Sequence, residues 1–87
     1  MLSVIIPVYN VENYIRECLE SVVRQKTDDL EIIIVNDGST DRSEEICVEY
    51  IKLYPDIVYV KQKNAGLGDA RNLGLAHAKG EHVIFLD

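Results

Sequence analysis

Glu31-Ile32-Ile33-Ile34-Val35-Asn36-Asp37-Gly38 is an unbroken β-branched aliphatic run that ends abruptly in polar residues. A strand with one wet face alternates apolar and polar side chains, whereas a run without alternation suits a strand buried on both faces, as in a parallel sheet. Two further runs have the same form: Ser3-Val4-Ile5-Ile6-Pro7-Val8-Tyr9-Asn10 and His82-Val83-Ile84-Phe85-Leu86-Asp87. In an open parallel sheet, ligands bind in the crevice beyond the carboxyl ends of the strands. The polar tips of all three runs, with Tyr9, Asp37 and Asp87, are therefore expected at one place.

Working outward, residues 3–8 read as the first strand. A helix over about 11–26 follows, with Tyr14, Ile15, Cys18, Leu19, Val22 and Val23 as its apolar stripe and Asn10 placed to cap it. Thr27-Asp28-Asp29 breaks this helix, and the second strand is Leu30–Val35. Asp37-Gly38-Ser39-Thr40-Asp41 is a turn cluster, and Asp41 and Glu44 have the spacing of a capping box. The second helix shows Ile46, Cys47, Tyr50, Ile51 and Tyr54 on one face and stops at Pro55. Ile57–Val60 is a short third strand. After the loop Asn64-Ala65-Gly66-Leu67-Gly68 comes a helix to about Lys79, with Gly80 as its stop, and then the fourth strand, His82–Leu86. Right-handed crossovers give a parallel sheet in the order 3-2-1-4, with helices on both faces. The fold class is α/β, Rossmann-like and three-layered.

The 87 residues allow one small domain, and a hydrophobic content of 47% argues against disorder. A net charge of −6, with no basic stripe interleaved with aromatics, argues against nucleic acid as partner. Cys18 and Cys47 fall inside helices with no Cys/His cluster around them, so they read as small core residues rather than zinc ligands. Met1 leads straight into a strand with no basic segment before it, and no apolar run reaches the ~20 residues of a membrane span. A soluble cytoplasmic protein is expected.

Each candidate site residue has a plain alternative. Asp37 can accept from a ligand N–H or simply serve the turn. Tyr9 can stack on a nucleobase, with backbone groups of Pro7 and Val8 at its edge, or be a partly buried core aromatic. Pro7 suits only the very end of a central strand, because proline gives up a ladder bond. Gly66-Leu67-Gly68-Asp69-Ala70-Arg71 is half of a dinucleotide fingerprint, with Arg71 in place of the last glycine and the wrong strand before it. A cation in the first turns of a helix opposes the dipole, so Arg71 is better explained by reaching an anion, or else by a structural salt bridge. His77 and His82 read as surface residues, Lys61 and Lys63 as solvated strand-end charges, and Asp28-Asp29 as loop.

The combination is more specific than its parts. Ser3–Asn10, then Val35-Asn36-Asp37-Gly38-Ser39-Thr40-Asp41, then Asn64 through Ala76 with Ala78, Gly80-Glu81 and Val83–Asp87, closely resembles the opening half of family-2 glycosyltransferases, in order and at the right spacing. The resemblance implies half of a GT-A fold and an inverting transfer from a nucleotide diphosphate sugar, with UDP favoured. It implies a saccharide or lipid-linked acceptor and a divalent cation, Mn or Mg. Residues 1–87 would be the nucleotide-sugar-binding part of a longer domain. Pro7, Val8 and Tyr9 would line the base pocket, Asp37 would accept from the uracil N3–H, and Asn64 and Arg71 would lie by the nucleotide. Asp87 would be the first Asp of a D-x-D motif, near ribose and metal.

By the same resemblance, the general base falls beyond residue 87, no catalytic residue lies within the chain, and the 87 residues alone are expected to be inactive. The full-length protein could also sit at the inner face of a membrane, since lipid-linked acceptors are common in the family. Two rival readings are a non-catalytic nucleotide-binding module and a receiver-like signalling domain. A receiver would carry an acidic pair where this chain has Pro7-Val8-Tyr9-Asn10. The fourth strand, 83–86, is expected to be an uncovered apolar edge through which copies associate.

Overall fold

A computed structural model describes residues 1–86. Its elements are β1 (Leu2–Val8), α1 (Ile15–Val23), β2 (Leu30–Asp37), α2 (Ser43–Leu53), β3 (Val58–Gln62), α3 (Leu67–His77) and β4 (His82–Phe85). The sheet has the order β3-β2-β1-β4, as the crossover argument requires. Every pairing is parallel, with Ile5 opposite Ile33 and Phe85, and Asp37 opposite Gln62.

The continuous apolar runs are buried on both sides. Val4, Ile6, Val8, Ile32 and Ile34 pack against α1 and α2 through Leu19, Val22, Cys47 and Tyr50. Ile5, Ile33 and Val35 point the other way, onto Ala70 and Leu73 of α3. Alternate residues of one strand thus feed two separate cores, which is why polar alternation is missing. The α3 layer is the thinner one, and it lies close: a Cβ added to Gly74 would stand 2.4 Å from Ile5 Cγ2.

Several boundaries differ from those expected. Helix α1 starts at Ile15 rather than 11 because Val11 O takes the N–H groups of both Tyr14 and Ile15 in a turn. Asn10 does not cap this helix. Its backbone is left-handed, with φ 51°, and its Oδ1 accepts from Thr40 N at 2.7 Å. The Asp41–Glu44 capping box is not formed either. Asp41 Oδ1 accepts from Ser43 N at 2.9 Å, while Glu44 turns away to Lys61 Nζ at 2.8 Å. β2 runs on to Asp37, because Asn36 and Asp37 still pair with β3.

Helix α3 ends at His77, so Gly80 is not its stop. Gly80 is where the chain crosses the start of β1. Its N–H donates to buried Ser3 Oγ at 2.9 Å, and a Cβ there would lie 2.6 Å from Met1 O. Cys47 lies fully in the core, and its thiol is pushed up to about 12 by burial and then by Glu44, Cys18 and Asp41. His77 and His82 are exposed, as expected. Among the described residues, no helix is long and apolar enough to cross a membrane.

Candidate functional site

β1 and β2 deliver their ends to one cleft of about 370 Å³, between the sheet and the start of α3. One wall is Pro7, Val8, Tyr9 and Val11. The other is Gly66, Leu67 and Ala70 of α3, with Asp37 and Asn64 between them. Tyr9 and Leu67 flank the cleft with about half of their surface exposed, 47% and 49%. Tyr9 is therefore not a core aromatic, and its ring is open to a ligand.

Pro7 sits inside the strand, opposite Val35, rather than at its very end. Ile5 O accepts from Leu86 N on the β4 side. Pro7, two residues further on, faces that same side beyond Phe85, the last described β4 partner. Its missing N–H therefore takes nothing from the β2 ladder.

The turn that carries Tyr9 is braced by the loop after β2. Ser39 Oγ accepts from Asn10 N at 3.2 Å, Ser43 Oγ from Val11 N at 2.9 Å, and Asp41 Oδ2 from Glu12 N at 3.1 Å. Burial pushes the Asp41 carboxyl up, but the donors of Ser43 and Glu12 outweigh it and hold it below the usual range. Beneath that loop Asn36 is fully buried. Its Oδ1 accepts from Ser39 N at 3.0 Å, and its Nδ2 donates to Tyr59 Oη at 3.0 Å. Tyr59 donates on to Glu44 Oε2 at 3.1 Å. Burial first, and Glu44 with it, push the Tyr59 phenol up to about 12 against the Asn36 donor.

Asp37 is 3% exposed and fully engaged within the protein. Its Oδ1 accepts from Gln62 Nε2 at 2.7 Å and Ala65 N at 2.8 Å; its Oδ2 accepts from Gly66 N at 3.0 Å and, at 3.3 Å, from Asn64 Nδ2. Burial raises its pKa, but the N–H of Ala65, the amide of Gln62 and the N–H of Gly66 together lower it below the usual carboxylate range. Gly38 allows the approach: its φ is 71°, and a Cβ would come within 2.6 Å of Asn64 N. A carboxylate so enclosed is poorly placed for the phosphorylation a receiver-like domain would need.

The structure thus gathers Pro7, Val8, Tyr9, Asp37 and Asn64 around one cleft. Arg71 is not in its lining. It faces the β4 side, with its guanidinium carbon 5.4 Å from the centre of the Phe85 ring. Asp87 lies outside the described residues. Among the described residues, no group of three or more His, Cys, Asp or Glu could hold a metal ion. The described residues by themselves therefore do not amount to a cation site. Sequence reasoning missed Asn36, Gln62 and the α3 wall. Asn36 could have been noticed as a polar residue still in register with a buried strand, whereas Gln62 carries no local signal.

A parallel sheet with an aromatic-rimmed cleft beyond the carboxyl ends of its strands is the arrangement of ligand-binding α/β proteins. Residues 3–87 match the model of the family described as Glycosyl transferase family 2, and the chain belongs to that family. It is 52% identical over 86 residues to glycosyltransferase GlyA of Streptococcus pneumoniae serotype 4, covering 99% of this chain and 12% of that protein. Among solved structures it resembles residues 1–349 of S. aureus TarS in complex with UDP-GlcNAc, at a TM-score of 0.87 and 38% identity, over 99% of this chain and 26% of that one. It also resembles the mannosyltransferase PcManGT of Pyrobaculum calidifontis in complex with GDP-Man and Mn2+, at a TM-score of 0.80 and 30% identity, over 94% and 25%. The fold is that of GT-A glycosyltransferases. The chain spans between 12% and 26% of the length of the relatives just named.

Proposed function

We propose that these 87 residues are the nucleotide-binding part of an inverting glycosyltransferase that uses a UDP-linked sugar and passes it to a saccharide or lipid-linked acceptor. One observation carries the reading: the cleft at the ends of β1 and β2 offers an exposed aromatic, Tyr9, beside a buried anion, Asp37. A uracil ring needs a stacking face and an acceptor for its N3–H, and a cleft of this kind supplies both. Pro7 and Val8 flank the ring. Asp37 takes the N3–H in exchange for its longest bond, the 3.3 Å contact from Asn64. The Asn64 amide, which also donates to the Asp37 carbonyl at 3.2 Å, stays beside the nucleotide. We assign Arg71, on the first turns of α3, to the nucleotide as well, as the family resemblance implies.

In such a transfer the acceptor oxygen attacks the anomeric carbon, and the bond to the diphosphate breaks. The acceptor proton passes to a general base, which we place outside these 87 residues. A divalent cation in the full-length protein would offset charge on the leaving diphosphate. Asp87 is the ligand we assign to it, with the remaining donors outside this chain. What the present residues do is bind and orient the nucleotide, and alone they are expected to be inactive. We also assign the open edge of β4 to self-association of this chain.

Calorimetric titration of UDP into the 87-residue chain tests the reading. Micromolar to millimolar binding that Asp37→Ala weakens at least tenfold and Tyr9→Ala weakens severalfold is expected. No heat in wild type, with or without Mn²⁺, would remove the nucleotide role from this part of the chain. A chain that binds UDP while the full-length protein transfers no sugar would favour a non-catalytic binding module.

A further inference from the structure

Asp37 accepts the backbone N–H groups of Ala65 and Gly66, 28 and 29 residues further along the chain. Those two residues form the entry to α3. Gly66 is its N-cap, with φ 100° and no side chain, so the helix has no cap of its own. A carboxylate from β2 thus holds the turn into the helix, next to the end that carries partial positive charge. The side-chain amides of Gln62 and Asn64 bind the same carboxylate from β3 and the following loop. Gly66, Leu67 and Ala70, which this turn places, make one wall of the cleft.

We propose that Asp37 is a positioning residue for the α3 wall: its carboxylate pins Ala65 and Gly66 and so shapes the cleft before any ligand arrives. The inference concerns the same cleft as the proposed nucleotide role and rests on it only for what the cleft receives. It assigns Asp37 a second function, independent of any contact with a base. All four acceptor positions of the carboxylate are occupied in the free protein, three of them at 3.0 Å or less. A ligand N–H can claim only the fourth. The clamp needs the ionised form, because a protonated carboxyl turns one acceptor into a donor facing N–H groups. Asp37 binds protons more weakly folded than unfolded, so the clamp is complete above the ordinary Asp range and is lost as pH falls through the lowered value.

The test is solution NMR of the ligand-free 87-residue chain and of Asp37→Asn. In wild type the amide proton shifts of Ala65 and Gly66 should titrate together, with a midpoint below the ordinary Asp value of ~3.9. In Asp37→Asn they should not titrate, and both amides should exchange with solvent about tenfold faster or more, while Ile33 and Ile34 of β2 keep their protection. Shifts in wild type that ignore this titration, or equal exchange in the two proteins, would overturn the proposal. If Asp37→Asn does not fold, the wild-type titration still decides.

Nucleotide binding separates the two roles. Asp37→Asn should weaken the N3-methyl analogue as well as UDP, and UDP more, since a misplaced wall harms both and only UDP also loses the acceptor for its N3–H. A loss confined to UDP would make Asp37 a reader of the base alone. If wild type binds neither nucleotide, the proposed function falls and the amide titration still decides the clamp.

Discussion

Asn36 shows how much a single buried polar residue can organise. Its amide joins the loop that braces Tyr9 to the Tyr59 phenol, and through it to Glu44. Tyr59→Phe removes the only acceptor among the described residues for Asn36 Nδ2 while leaving the ring in place. A buried donor without a partner costs about 1–3 kcal/mol. Urea unfolding should show a loss of that size, with an unchanged slope. A loss below ~0.5 kcal/mol, the range of neutral surface changes, would mean that the amide finds water instead. Gln62 works at the same scale from the opposite side, holding Asp37 Oδ1 at 2.7 Å.

At the level of elements, α3 is the weak partner of the sheet and also the cleft wall. Its buried residues are Ala70 and Gly74, and neither has a side chain large enough to grip. The helix is held by closeness. Gly74→Ala drives a methyl group to 2.4 Å from Ile5 Cγ2, in the middle of the central strand. Overpacking of this kind costs about 1–3 kcal/mol, despite the gain in helix propensity. Gly68→Ala, on the same helix with nothing within 4 Å of the new Cβ, should be neutral or stabilising by up to ~1 kcal/mol. Thermal unfolding of the two variants side by side checks this. A stabilised Gly74→Ala would mean that α3 rides higher on the sheet.

Across the whole molecule the two sheet edges differ. β3 is tied down by the Tyr59 and Lys61 contacts to Glu44, whereas β4 is four residues long with Ile84 46% and Phe85 38% exposed. Ile84 also lines a groove of about 240 Å³ with Leu2, Val22 and Leu30. An open apolar edge with unpaired backbone groups recruits another strand. Light scattering across a concentration series should show dimers or larger species that Ile84→Lys returns to monomer. A wild-type monomer at every concentration, with β4 amides protected from exchange, would remove the self-association. A net charge of −6 opposes the pairing, so raising salt should strengthen it.

The parallel sheet, its order and the place where its strand ends meet were legible in the chain, because burial on both faces leaves the same mark in every central strand. Ile32–Val35 and Val4–Ile6 have no polar alternation, as strands covered on both faces require, and the helical stretches between them favour a parallel sheet. The family motif placed Tyr9, Asp37 and Asn64 together for a related reason: each follows directly from the end of a strand or the start of a helix. What surrounds Asp37 was not legible. Gln62, Ala65 and Gly66 come to its carboxylate from 25 to 29 residues away, and a backbone N–H has no residue-specific signature. Asn10 stands where it could cap the next helix, yet it binds across to Thr40, while Asp41 keeps a local bond from Ser43 N and adds one from Glu12 N across the sheet end. Helix caps compete with such contacts within about a kcal/mol, so only the packed arrangement decides which bond a short polar side chain makes.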